Sequence, residues 1–379
     1  MKLWLEAGLI DEATLRRIAD FEAERSRPLG LWAIIGIGAL AIGLGIVSLV
    51  AANWEDIPGR LRLLMHMVLI AGLAFWLYRQ PQRPGFLGLF LKDVLLFVWA
   101  VLGLTFFGHL GQVYQTSSPL WQPLAIWLVL FAPIMLALGR GWLVALLLMT
   151  GLVGTAIAYI GWYADQTSDP SALILALVTS IPVVVVPCAW AMLGRTGRDD
   201  FWKLIAQIAL GVIAFGVTLK LLIATLAGPE IGEKGTALSL SLLHAFIWSI
   251  CALAVLASDR SRYGKAIAAI LAMGGVIGLI GHFVGSQSSL LGGLIFMAYW
   301  AGIGAMAVYA GWRGVFQVAV TLVALRLVIL SFELASDLLT SGFGLIVAGL
   351  LVIGIAIGAY RFSKAFAPLR VASGGEGTA

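Results

Sequence analysis

Long apolar stretches separated by short polar ones run through the whole chain. Each stretch has the length of about 20 residues that a helix needs to cross a hydrocarbon core roughly 30 Å thick. We read spans at about 31–53, 63–78, 93–110, 120–139, 142–163, 171–194, 204–227, 237–258, 266–285, 290–311, 314–333 and 341–360. The apolar residues do not keep to one helical face. They surround the helix, as expected where lipid and neighbouring helices are both apolar. The pattern predicts an all-α, polytopic transmembrane helical bundle of about 12 spans.

Composition supports this. Of 379 residues, 61% are hydrophobic and 11% charged, whereas soluble domains carry roughly a quarter charged residues. The distribution of basic residues sets the expected orientation, because Lys and Arg are retained on the cytoplasmic side. With the N-terminus inside, inside segments hold Lys2, Arg16, Arg17, Arg25, Arg27, Arg79, Arg83, Lys92 and Arg140. They continue with Arg195, Arg198, Lys203, Arg260, Arg262, Lys265, Arg313, Arg361, Lys364 and Arg370. Outside loops hold only Arg60, Arg62 and Lys234. Both termini are therefore expected in the cytoplasm, with the chain a multi-pass membrane protein. The net charge of +5 is a topology signal and implies no nucleic-acid partner. Cys188 and Cys251 both fall within spans, so no disulfide framework is implied.

Four segments are expected. Residues 1–30 form a cytoplasmic amphipathic helical segment, in which Asp11 caps a helix with Leu15, Ile18 and Phe21 on one face and Pro28 at its end. This stripe either packs on the protein itself or docks a cytoplasmic partner or a second copy. Residues 31–200 and 201–360 are two six-span halves, and 361–379 a disordered cytoplasmic tail. A parallel repeat of the halves is suggested by Gly108-His109 against Gly281-His282, Ser117-Ser118 against Ser288-Ser289, and Gly141-Trp142 against Gly311-Trp312.

Polar groups at membrane depth are costly, roughly 2.5–3.5 kcal/mol for a central Arg on insertion scales, so they are the first candidates for function. His66 and His109 lie near the outer ends of their spans, His244 about two turns into its span, and His282 at a span end. Lys220 is about two turns from an outer end. Arg326 is near the middle of its span, with Glu333 at i+7. All map to the outer half, and the inner half carries little charge beyond Asp93. This predicts one outward-facing polar cavity. Pro182 and Pro187 predict a kink in the sixth span. There is no His-Glu-x-x-His, Walker motif, nucleophile elbow or Cys/His metal spacing. No catalytic residue, metal or cofactor is expected.

The N-terminal third resembles a bacterial membrane-protein family catalogued as domain of unknown function 2157. The matching pieces are Glu6-Ala7-Gly8-Leu9-Ile10-Asp11, then Val50-Ala51-Ala52-Asn53-Trp54 with Pro58. Further along come Gly111-Gln112-Val113-Tyr114-Gln115 and Trp121. The resemblance is strongest over residues 1–150, and Phe332-Glu333-Leu334 through Gly349 is similar to the ends of such proteins. It implies a multi-span inner-membrane protein without an assigned activity. Asn53, Trp54, Gln112, Tyr114 and Gln115 all map to the outer face, beside the polar groups above, and join them as candidate cavity residues.

The leading functional expectation is a carrier of a small polar or anionic solute, the anion favoured by Lys220 and Arg326. The alternative is a membrane scaffold or sensor subunit that docks a partner through residues 1–30.

Overall fold

The computed structural model describes residues 11–14, 17, 41, 57–79, 86–167, 171–226, 234–284, 289–334 and 342–366. The chain divides into two compact units, Met1–Met65 and His66–Ala379. In the first, Asp11 Oδ1 accepts the Thr14 amide at 2.8 Å, the side-chain N-cap expected of Asp11. Apart from Ala41, the expected first span, 31–53, lies outside the described residues, as does the rest of the amphipathic stripe.

The helices are α1 (Gly59–Arg79), α2 (Phe86–Tyr114), α3 (Trp121–Leu138), α4 (Trp142–Gln166), α5 (Ala172–Thr179) and α6 (Ile181–Ala191). They continue as α7 (Asp199–Leu226), α8 (Lys234–Ser258), α9 (Arg262–Val284), α10 (Ser289–Ala310), α11 (Arg313–Leu334) and α12 (Gly342–Phe366). Among the described residues nine helices are long and apolar enough to cross a membrane. The pair α5/α6, bent by 45°, is one further span if taken as a unit. Their bounds follow the apolar runs to within a few residues, except that α2 and α7 begin earlier than their runs, at Phe86 and Asp199, and α12 ends later, at Phe366.

The second unit is held together by large side chains between helices. Trp127 of α3 is fully buried, and its indole N–H donates to the Ala100 carbonyl of α2 at 2.7 Å. Phe131, one turn on, packs against Trp99 with ring centroids 4.4 Å apart. This core extends through Leu148 of α4, Val183 and Val186 of α6, and Phe201 and Ile205 of α7. A second core gathers Tyr299, Trp300 and Ile303 of α10 with Ala319 of α11, Ile270 of α9 and Leu221 of α7. The central helix α7 touches α4, α6, α9 and α10. The outer surface is as apolar as the interior: Val68, Val129, Phe215, Leu253 and Leu350 are all exposed. Such a surface suits contact with lipid, since a soluble domain exposes no apolar patch of this extent.

The bend in the sixth span differs from the expected proline kink. The break lies at Ser180, before Pro182, which stands in the first turn of α6, and Pro187 sits inside α6 without interrupting it. The Pro182 ring crowds the carbonyl four residues back, and its nitrogen has no N–H to donate. The helix therefore breaks two residues upstream, at Ser180, and restarts where proline is tolerated.

Candidate functional site

The loops fall into two groups by the contacts they make. Asp93 of α2 accepts the Arg140 amide at 2.9 Å. Arg198 donates from Nη1 to the Gly139 carbonyl at 2.9 Å. Trp190 of α6 donates from its indole to Asp259 Oδ2 at 3.1 Å, and Tyr263 stacks on Trp312 with centroids 6.4 Å apart. Phe316 meets Phe362, and Leu77, Lys92 and Leu138 line one cavity. These contacts bring Arg79, Lys92, Arg140, Arg195, Arg198, Arg260, Arg262, Arg313 and Arg361 to one end of the bundle, the basic end.

The most extensive polar network of the described residues is at this end, where sequence reasoning placed no site. Three interhelical loops are tied to a neighbouring helix or loop by one charged side chain each. Asp93 is buried and stands at the start of α4, where free N–H groups and the helix dipole favour an anion. Arg198 satisfies a terminal carbonyl of α3, and its guanidinium lies 5.7 Å from the ring centroids of both Phe201 and Trp202. Asp259 accepts the Ser261 amide at 2.8 Å and hydroxyl at 3.0 Å as well as the Trp190 indole. Burial alone would raise the Asp259 carboxyl. The bonds from Ser261, Trp190 and the Gly264 amide outweigh it and hold the group below the ordinary carboxylate range.

The predicted cavity residues lie toward the opposite end, in three places. His66 of α1 and His109 of α2 meet with Nδ1 atoms 3.4 Å apart. His109 is 16 residues, or about 24 Å of helix, from Asp93. The His244 Nε2 of α8 and the Thr179 hydroxyl of α5 are 2.5 Å apart, and Lys220 of α7 is within Coulombic range of His244. Arg326 of α11 is only 3% exposed and lies against Gly293 of α10. A Cβ on that glycine would stand 3.2 Å from both Nε and Nη2 of the guanidinium, so the missing side chain is what admits the Arg326 head. The side chains of His282 and Glu333 and all of Asn53 and Trp54 lie outside the described residues.

Gln112, Tyr114 and Gln115 form the end of α2. The Thr116 amide donates to the Gly111 carbonyl at 3.1 Å, and Gln115 takes a left-handed φ of 52°. Its side-chain amide donates to the Gln112 carbonyl at 3.0 Å. This is a Schellman-type stop, so the Gly-Gln-x-Tyr element of the sequence terminates a helix. Tyr114 is exposed.

Close by in the sequence, Trp121 meets Tyr159 and Trp162 with centroids 5.3 and 5.4 Å apart. This aromatic group closes the end opposite the basic one, and Trp190, Trp202, Tyr263 and Trp312 stand at the basic end. Aromatic side chains concentrated at both ends of apolar helices are the pattern of membrane interfaces.

Two cavities of about 610 and 750 Å³ are lined almost entirely by apolar side chains. One lies at Trp99, Pro133 and Leu138, the other between α10, α11 and α12 at Gly304, Ala319 and Gly358. None of the predicted polar residues whose side chains are described lines either. Among the described residues no three His, Cys, Asp or Glu side chains gather as metal ligands.

Residues 2–144 match a family described as predicted membrane protein (DUF2157). That is the stretch in which the cap at Asp11, the Gly-Gln-x-Tyr helix stop and Asp93 all lie. No curated protein and no solved structure matches the chain. The chain is a membrane protein built of several apolar helices.

Proposed function

We propose that the chain is a carrier of a small anionic solute in a bacterial inner membrane, with twelve spans and both termini in the cytoplasm. The observation that carries this is Arg326. It is buried in the middle of an apolar helix, about 20 Å of helix from Arg313 at the basic end, and a glycine of the facing helix makes room for it. Charged side chains at that depth are costly and mark substrate and ion pathways. An intramembrane guanidinium is suited to a carboxylate or phosphate through two parallel N–H···O bonds. Lys220 and His244 add donors toward the same end. Assigning the basic end to the cytoplasm follows the retention of Lys and Arg on that side.

Proteoliposomes loaded in turn with phosphate, sulfate and small carboxylates test the reading. Wild-type protein is expected to move at least one of them faster than empty vesicles do. Arg326→Leu is expected to abolish that flux with the protein still folded, and Arg326→Lys, which keeps charge but not the planar fork, to retain part of it. Flux through Arg326→Leu equal to wild type would refute the proposal.

The second reading, a scaffold or sensor subunit, draws on the exposed start of the N-terminal helix at Asp11, Glu12 and Ala13. Under it, deleting residues 1–30 removes a co-purifying protein and leaves thermal stability unchanged. Lower stability with no partner lost would instead mean that the helix packs on its own chain.

A further inference from the structure

The contact between His66 and His109 has a geometry that an ordinary hydrogen bond does not explain well. The His66 Nε2 is 2.9 Å from the Leu102 carbonyl oxygen. A carbonyl only accepts, so Nε2 carries the proton, and in the neutral ring Nδ1 is left as a bare lone pair. That lone pair faces His109 Nδ1 at 3.4 Å, beyond the range of about 2.7–3.2 Å in which N–H donors usually bond. The His66 ring is also held edge-on to Phe106, at 90° with centroids 5.5 Å apart.

Two imidazole nitrogens that share a tetrahedral ion, each at about 2.0–2.1 Å, stand about 3.3–3.4 Å apart. The observed separation matches that bite. A ligating histidine typically donates its other ring N–H to a backbone carbonyl, which fixes the tautomer and turns the lone pair to the metal. His66 already makes that bond to Leu102. We propose that His66 and His109 form a two-histidine site for a divalent transition cation of the zinc class, bound through the two Nδ1 atoms.

The Thr105 hydroxyl donates to the Val101 and Leu102 carbonyls of its own helix, at 3.1 Å each. Among the described residues no third His, Cys, Asp or Glu joins the pair, and positions taken by water or solute would make the site open and exchangeable. His66 is half-buried and lies seven residues from the start of α1. Imidazole nitrogen suits zinc and copper and does not suit magnesium or calcium. The proposal is independent of the anion reading, since Arg326 takes no part in it.

The test uses the full chain in detergent, stripped with a chelator and titrated with Zn²⁺ alone by calorimetry. Wild type is expected to bind one ion per chain, with Mg²⁺ giving no heat at the same concentration. His66→Gln and His109→Gln, which keep volume and a polar end, are each expected to weaken binding tenfold or more. Metal-free melting curves and helical circular dichroism confirm that the variants are folded. A readout on wild type alone is diethyl pyrocarbonate modification of His66, followed by mass spectrometry and expected to be suppressed by Zn²⁺. Absence of saturable Zn²⁺ binding, equal affinity in the folded variants, or modification of His66 indifferent to Zn²⁺ would each overturn the site and leave a proton between the rings.

Discussion

The Asp93 carboxylate of α2 accepts the amide of Arg140, 47 positions along the chain, and sits where a side chain on Gly141 would have to stand. A third helix thereby fastens the turn between α3 and α4, with the acid at the positive end of α4. Removing it exposes a buried amide without a partner, a loss of about 1–3 kcal/mol. Asp93→Leu is expected to lower the thermal midpoint, and Asp93→Asn, which still presents an acceptor, to lower it less. Gly141→Ala is expected to be at least as damaging as Asp93→Leu, because the new methyl overlaps the carboxylate. Melting curves in one detergent order the three.

Asp259 links the loop after α8 to Trp190 of α6, and its carboxyl lies below the ordinary range. When the folded value is depressed, the unfolded chain takes up the proton first as pH falls. The stabilisation from this contact is therefore complete above about pH 4, the ordinary carboxylate value. It declines as pH drops toward the folded value and is gone below it. Trp190→Phe removes one of the bonds that favour the anion, and is expected to shrink the acid-dependent part of stability. Asp259→Asn is expected to abolish that part. Urea or thermal midpoints between pH 3 and 7 measure both.

The apolar helices of the described residues were legible because an all-round apolar helix needs no knowledge of its neighbours: the run of residues is the signal. Helix ends were legible where a local rule governs them, as with Asp11 and Thr14 or Pro182. The polar contacts were not. Asp93 and Arg140, His66 and His109, and Trp190 and Asp259 are each more than 40 positions apart, and no periodicity links them. Sequence reasoning weighed polar residues by depth, which singled out Arg326 but passed over Arg198 and Asp259 at the helix ends. The role of Gln115 in stopping a helix was also not legible, because it rests on a left-handed backbone turn. Depth says where a charge is expensive, and only packing says which groups meet it.

The contacts that gather Arg140, Arg198, Arg260 and Arg313 at one end make orientation testable at single loops. Reporter fusions after Arg198 and Arg262 are expected to read as cytoplasmic, and after Gln115, Asp165 and Ser288 as external. A fusion to the C-terminus is expected to read as cytoplasmic. Opposite readings after Arg198 and Arg262 would contradict the shared end, and an external C-terminus would contradict the twelve-span count.

Gly293 offers a way to test Arg326 without touching its charge. The guanidinium lies against the bare backbone of α10, with the position of a β-carbon 3.2 Å from two of its nitrogens. A methyl there asks the head to move by a few tenths of an ångström, which a long side chain can do. A leucine fills the space outright and forces the guanidinium out of its seat. If Arg326 only packs α10 against α11, Gly293→Ala and Gly293→Leu should lower stability in step with added volume, and Arg326→Leu combined with Gly293→Ala should recover it, since an apolar pair replaces a buried charge. If Arg326 binds a solute, Gly293→Leu is expected to lose flux at least tenfold while the charge remains. The double variant should then regain stability without regaining flux. Stability and flux recovering together in the double variant would leave Arg326 a packing residue.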